Sequence, residues 1–255
     1  MFQLRDKVID LAKQYLPAET RNWVVRQQRR FGLQWPRVGK VSFGDFYRVT
    51  PISPIFGIDR GFPIERYYIE RFLDKQRSDV RGRCLELGDA TYITKFGDDR
   101  VTQVDVLHYV AGNPEATIIA DLTCADHIPD NSFDCIIFTQ ALQMIYDMKA
   151  ALGHIHRILK PGGVLLLTSH GISKIGRRLG RDPWGEYWHI TSQSAQRLLQ
   201  ESFPAGAVEV GTYGNVLTAM CALHGVVSEE VHKTELDHVD PDFEVIVTVR
   251  AVKAR

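Results

Sequence analysis

An α/β fold with a mostly parallel sheet is the class this sequence predicts, on three observations. From residue 83 onward short apolar runs alternate with helical or loop segments, the pattern of strands covered on both faces. The segment 141–159 has amphipathic helical spacing and runs into Lys160-Pro161-Gly162-Gly163, with cation, proline and glycine in stop positions. A length of 255 residues suits one large α/β domain with a helical appendage, and buries a core without disulfides or metals.

Taken in order, residues 1–32 carry helical periodicity through Val8, Leu11, Ala12 and Tyr15, then Trp23, Val24 and Val25, broken near Pro17. Residues 33–63 are rich in proline and glycine and read as a covering segment or lid. Helical spacing returns over 64–78. Five strands follow, Arg83–Leu87, Val101–Leu107, Ala116–Ala120, Phe133–Thr139 and Val164–Ser169. A helix over about 192–202 has Thr191 as its N-cap. A strand over 207–212, a helix over 216–231 and a last strand over 243–252 complete seven strands, the last of them antiparallel.

Lys plus Arg and Asp plus Glu are each 31, so nothing global draws the chain to nucleic acid or an anionic membrane. The basic run Arg21, Arg26, Arg29, Arg30, Arg37 and Lys40 reads as a solvated face. Cys84, Cys124, Cys135 and Cys221 show no metal-ligand spacing, and Cys84 and Cys135 fall in apolar strands. With no apolar stretch long enough for a membrane span, and no secretory signal, a reducing cytoplasm is the expected compartment.

Gly88 follows the first strand, where a nucleotide-type cofactor requires a tight turn; an ordinary strand-to-helix turn is the alternative. The run Gly88-Asp89-Ala90-Thr91-Tyr92 is not GxGxxG, and Ala90 and Tyr92 are expected to crowd a pyrophosphate, which argues against NAD and FAD. Asp105, 17 residues beyond Gly88, is placed for ribose hydroxyls or is a solvated strand-end acid. Asp121, after the third strand, is an acceptor for an adenine amino group or the anchor of an Asx turn.

Residues 127–169 resemble the class I S-adenosylmethionine-dependent methyltransferases, of the type 11-like kind. The matching residues are Pro129, Asp130, Ser132, Phe133, Asp134, Arg157, Leu159, Lys160, Pro161, Gly162 and Gly163. The resemblance implies a Rossmann-like seven-stranded sheet, S-adenosyl-L-methionine as cofactor, and a methyltransferase domain over 80–255 behind an N-terminal segment, 1–79. It implies a cofactor site of Glu86, Gly88, Asp105 and Asp121, with Thr139 at the end of the fourth strand. Longer runs such as FGIDRGFPIERYYIERFL and WGEYWHIT look like a bacterial methyltransferase group of polysaccharide and glycoside biosynthesis. That group carries Gly-Asp-x-x-Tyr-Thr in its cofactor loop, which makes Asp89 and Tyr92 cofactor-loop residues.

Methyl transfer to a hydroxyl requires alignment and removal of a proton. His170, directly after the fifth strand, and His189 are the candidate bases; packing or surface roles are the alternative. Trp184, Tyr187 and Trp188 form an aromatic cluster that stacks an acceptor or fills a core. Arg60 pairs with the cofactor carboxylate or with a neighbouring acid. No metal is expected. The expected partner is a small-molecule or glycan acceptor, O-methylated, with homo-oligomerisation left open. Methylation of another natural product at O, N or C, and a degenerate binding or regulatory protein, are the rival readings.

Overall fold

Seven strands build one sheet: β1 Gly82–Leu87, β2 Val101–His108, β3 Ile118–Ile119, β4 Phe133–Thr139, β5 Leu159–His170, β6 Val208–Tyr213 and β7 Ile246–Val252. Their order is β3-β2-β1-β4-β5-β7-β6. The first five are mutually parallel, and β7 runs antiparallel to both β5 and β6. This is the Rossmann-like, mostly parallel sheet expected from the alternation of runs. The computed structural model describes residues 11–33 and 38–255.

Each central strand feeds two cores through its two-residue period. Leu85, Ile136, Phe138, Leu165 and Leu167 face one way, against Ala151, Leu152 and Ile155 of the helix Met148–Ile158 and Leu199 of the helix Ser192–Gln200. Cys84, Cys135, Ile137, Val164 and Leu166 face the other way, against the helices Ile64–Lys75 and Thr91–Gly97. Cys84 and Cys135 are register partners, buried free thiols as expected. Thr191 caps its helix through Ser194, also as expected.

The motif behind the family resemblance is scaffold. Arg157 donates to Ile128 O (2.7 Å), Ala125 O (2.8 Å) and Asp130 Oδ1 (2.5 Å), pinning the loop before β4. Lys160 Nζ donates to Asp134 Oδ2 (2.6 Å), which also accepts Arg83 N (2.8 Å). The helix expected over 141–159 is shorter, Met148–Ile158 with Asp147 as N-cap, and the Lys-Pro-Gly-Gly run belongs to β5. Gly163 permits this, since a Cβ there would meet Lys160 O at 2.8 Å and Phe133 O at 3.0 Å.

Two compact units divide the chain, 1–49 and 50–255. Ile64, Tyr68, Ile69, Phe72 and Leu73, which fall in the expected N-terminal segment 1–79, are buried residues of the larger unit. In the smaller unit the helix Ala18–Arg30 has no buried residue, and Arg26, Arg29 and Arg30 are exposed. Val8 and Arg37 lie outside the described residues. The expected lid is split by the boundary. Its part over 50–63 is a packed turn: Ser53 N donates to His224 O (2.9 Å), and Ser53 Oγ accepts Gly57 N (3.0 Å) and donates to Asp59 Oδ1. Gly57 has φ +85°, and a Cβ there would lie 2.8 Å from Gly225 O. No helix among the described residues is long and apolar enough to cross a membrane.

Candidate active site

The carboxyl ends of β1, β2, β4 and β5 bring most of the expected residues to one edge, all within 50–255. Gly88 leaves β1 at φ +89°, and its missing Cβ would face open space, so the loop forms an uncrowded cradle. Glu86, 2% exposed, accepts Tyr92 N (3.1 Å) and Ile93 N (2.8 Å). Asp89 is exposed and accepts Thr91 N (2.9 Å). Tyr92 departs from expectation. Its ring is buried in the core beneath the loop, and its hydroxyl accepts Arg66 Nη1 (2.5 Å), so it does not crowd the cradle. Apolar area drives the ring inward once the helix Thr91–Gly97 faces the sheet.

Burial pushes the Glu86 carboxyl up to about 7, against the opposing pull of its two backbone N–H donors. Between the ordinary 4.5 and about 7 the folded chain holds a proton that the unfolded chain has released, so stability falls as pH rises through this window. Relative to Glu86→Gln, the wild type should lose on the order of 1–3 kcal/mol between about pH 5.5 and 7.5. Denaturant titrations of both proteins at the two pH values check this; a difference that does not move with pH would refute it.

Asp105 does not end its strand. β2 continues to His108, and the Asp105 carboxylate, 5% exposed, pairs with Arg83 Nε (2.7 Å) and accepts Thr117 Oγ1 (2.9 Å) and Gln103 Nε2 (3.3 Å). The strand end is occupied by His108, whose ring meets Trp184 edge-on at 6.1 Å. Asp121 Oδ1 accepts Thr123 N and Oγ1, both at 2.8 Å, the Asx turn that was its alternative reading. Thr139 ends β4 as expected. Arg60 pairs with Glu230 (2.5 Å) on the surface, a neighbouring acid of the kind expected as one of its two partners.

At the end of β5 the two candidate bases meet. Their rings lie 4.9 Å apart, and between them stands Glu186, its side chain 1% exposed. Glu186 Oε1 lies 2.6 Å from His170 Nε2 and 3.4 Å from His189 Nε2, while Oε2 accepts Gly176 N (2.7 Å). Burial pushes the His170 imidazole below its ordinary value, with Glu186 pulling the other way. A neutral His170 donating Nε2–H to Glu186 fits that environment. The three ligand atoms lie within 4.8 Å of one another, a grouping that would also suit a metal ion. The 2.6 Å contact, however, is a hydrogen-bond length, shorter than the roughly 3.3 Å between ligands of a tetrahedral ion.

The aromatic cluster divides. Trp184 goes to His108, whereas Tyr187 and Trp188 gather on Tyr146, at 5.4 and 5.7 Å. Their backbone N–H groups both donate to Gln143 O (2.9 and 3.2 Å). Gln143 is buried and accepts Ser169 Oγ (3.0 Å). Gln140 turns the chain after β4 at φ +52°, a conformation uncommon for a non-glycine residue and one that concentrates at functional sites. A groove of about 630 Å³ runs beside Tyr146, Trp188, His189, Arg197 and Leu198. Sequence reasoning missed Glu186, Gln140, Gln143 and Tyr146. Glu186 had a signal, a lone acid inside the aromatic segment WGEYWH; the others had none beyond proximity to a strand end.

Residues 89–167 match the methyltransferase domain family. The match, to a methyltransferase domain, runs from the loop after β1 into β5. Over 156 residues the chain is 27% identical to the ubiquinone/menaquinone biosynthesis C-methyltransferase UbiE of Enterobacter sp. (strain 638), covering 51% of this chain and 58% of that protein. It is 28% identical over 169 residues to the UbiE of Vibrio cholerae serotype O1, covering 58% and 59%. The chain thus spans under two thirds of the length of these curated relatives. Among solved structures it is similar to a S-adenosylmethionine-dependent methyltransferase from Mesorhizobium loti (19% identity, TM-score 0.48, covering 77% of this chain and 100% of that one). Another is a SAM-dependent methyltransferase from Archaeoglobus fulgidus (9% identity, TM-score 0.48, covering 74% and 94%). His170, Glu186 and His189 lie beyond the stretch matched by the family.

Proposed function

We propose that the chain methylates a hydroxyl of a sugar or glycoconjugate in the cytoplasm, with His189 as the base. The observation that carries this reading is the His170–Glu186–His189 cluster at the end of β5. When bound, the cofactor supplies a methyl group activated by a sulfonium. Glu86 and the Gly88 loop would hold its methionyl end and Asp121 its adenine, through the carboxylate oxygen that the Asx turn leaves free. His108 and Trp184 would flank the adenosine at the end of β2.

His189 is the more exposed of the two imidazoles, 37% against 7% for the side chains, so an acceptor can reach it. Its Nε2 faces Glu186, leaving Nδ1 to take the acceptor proton. His170 holds Glu186 in place, and Glu186 stabilises the imidazolium that forms. Tyr146, Tyr187 and Trp188 offer ring faces for a pyranose, with Arg197 on the groove wall for its hydroxyls. A second reading is favoured by the names of the curated relatives: transfer to an activated ring carbon, where the same base would remove the ring proton.

The test is methyl transfer from methyl-labelled S-adenosylmethionine to a panel of glycosides and a panel of phenols. Label in a glycoside methyl ether supports the first reading, and label on a ring carbon replaces it with the second. No transfer to any acceptor, with cofactor bound, would return the chain to a binding role.

A further inference from the structure

Glu65 lies in the first turn of the helix Ile64–Lys75, and no role was read for it in the sequence. Its Oε1 is buried and has no hydrogen-bond partner among the described residues, a costly condition for a carboxyl oxygen. The residue as a whole is half-buried, so it is not sealed off, and rotation about the terminal torsion exchanges its two oxygens.

The charged groups that face it are Lys174, from the loop after β5, and Arg66, from its own helix. Both are engaged elsewhere. Lys174 Nζ donates to Pro54 O (2.8 Å) and stands 3.7 Å over the Phe56 ring. Arg66 Nη1 donates to the Tyr92 hydroxyl and its guanidinium lies over that ring. Burial outweighs the pull of the residue's own backbone N–H and of both cations, and pushes the Glu65 carboxyl up to about 7.

Its neighbours also locate it. Lys174 follows β5, Arg66 is tied to the loop after β1, and β4 is the strand between these two. The cations that act on Glu65 are thus tied to segments that follow β5 and β1 at their carboxyl ends, and Arg66 acts on Glu65 and Glu86 alike. With both cations held by other partners, the Glu65 oxygen is open to a cation from a ligand.

We infer that Glu65 receives the positive charge at the methionyl end of S-adenosylmethionine, from its ammonium or its sulfonium, and so makes the site read the charge of its cofactor. The inference rests on the cofactor reading above and adds a residue outside the stretch matched by the family.

Calorimetric titration of wild type and Glu65→Gln tests it with three ligands: S-adenosylmethionine, S-adenosylhomocysteine, which keeps the ammonium but not the sulfonium, and methylthioadenosine, which has neither. The glutamine variant should lose roughly tenfold or more in affinity for S-adenosylmethionine and none for methylthioadenosine. An equal loss for S-adenosylhomocysteine assigns the ammonium as partner; an unchanged value assigns the sulfonium. Equal S-adenosylmethionine affinity in the two proteins overturns the inference, as does a parallel loss for methylthioadenosine, which would mark a general distortion. If the glutamine variant does not fold, Glu65→Asp, which retracts the charge by one methylene, should give the same ordering with a smaller loss. Wild type that binds none of the three ligands would instead overturn the cofactor reading, and this inference with it.

Discussion

His189→Ala is expected to lower turnover by roughly 10² to 10⁴ while leaving cofactor affinity nearly unchanged, the effect of removing a positioned base. The expectation rests on access and orientation. His189 is the half-exposed member of its cluster and borders the groove beside Tyr146 and Trp188. His170 is buried against Glu186, its side chain 7% exposed. Its alanine variant should therefore show a smaller loss, shared with Glu186→Gln, because both act by holding the base rather than by taking the proton. Trp188→Ala should raise the acceptor KM more than it lowers kcat, since it removes stacking area. The measurement is steady-state transfer of labelled methyl to whichever acceptor the panel identifies, with cofactor affinity measured separately. Full turnover in His189→Ala would remove it as base, and a loss confined to His170→Ala would exchange the two roles.

Asp105→Ala is expected to cost roughly 2–4 kcal/mol of stability, with cofactor affinity of the folded protein nearly unchanged. Asp105 on β2 and Arg83 on β1 lie diagonally across the two strands, joined at 2.7 Å, with Thr117 and Gln103 donating to the same carboxylate. Truncation leaves a guanidinium stacked on the Phe133 ring, at 4.9 Å, without its counter-charge. Arg83 retains 34% exposure, so water recovers part of the loss and the figure falls below that of a fully buried pair. Denaturant unfolding together with S-adenosylmethionine titration separates this from the ribose role read in the sequence. A variant of unchanged stability that no longer binds the cofactor would restore that role.

The contrast between these two predictions shows what kind of residue a sequence discloses. The strands, the helix that β5 follows and the capping Thr191 were legible because each depends on local spacing: a two-residue period, a 3.6-residue period, or a side chain bonding a backbone three residues on. Arg157 and Lys160 were legible as a motif, although their work, holding a loop and strand β4 26 to 32 residues away, was not.

By itself the sequence determined the α/β class, a mostly parallel sheet and the edge at which chemistry would gather, because those follow from periodicity and from the direction in which parallel strands end. It also supplied His170 and His189 as candidates. Only the tertiary structure decided their relation, since a turn of the loop after β5 brings Glu186, 16 residues from His170, between them. It decided Asp105 as well: a strand end is set by hydrogen-bond register with β1 and β3, and that register carries β2 three residues past the acid. Tyr92 and Glu65 make the same point from opposite sides. Whether a side chain enters a core or stands over a cleft depends on what other elements pack against it, and one buries an aromatic ring while the other leaves a carboxyl oxygen without a partner.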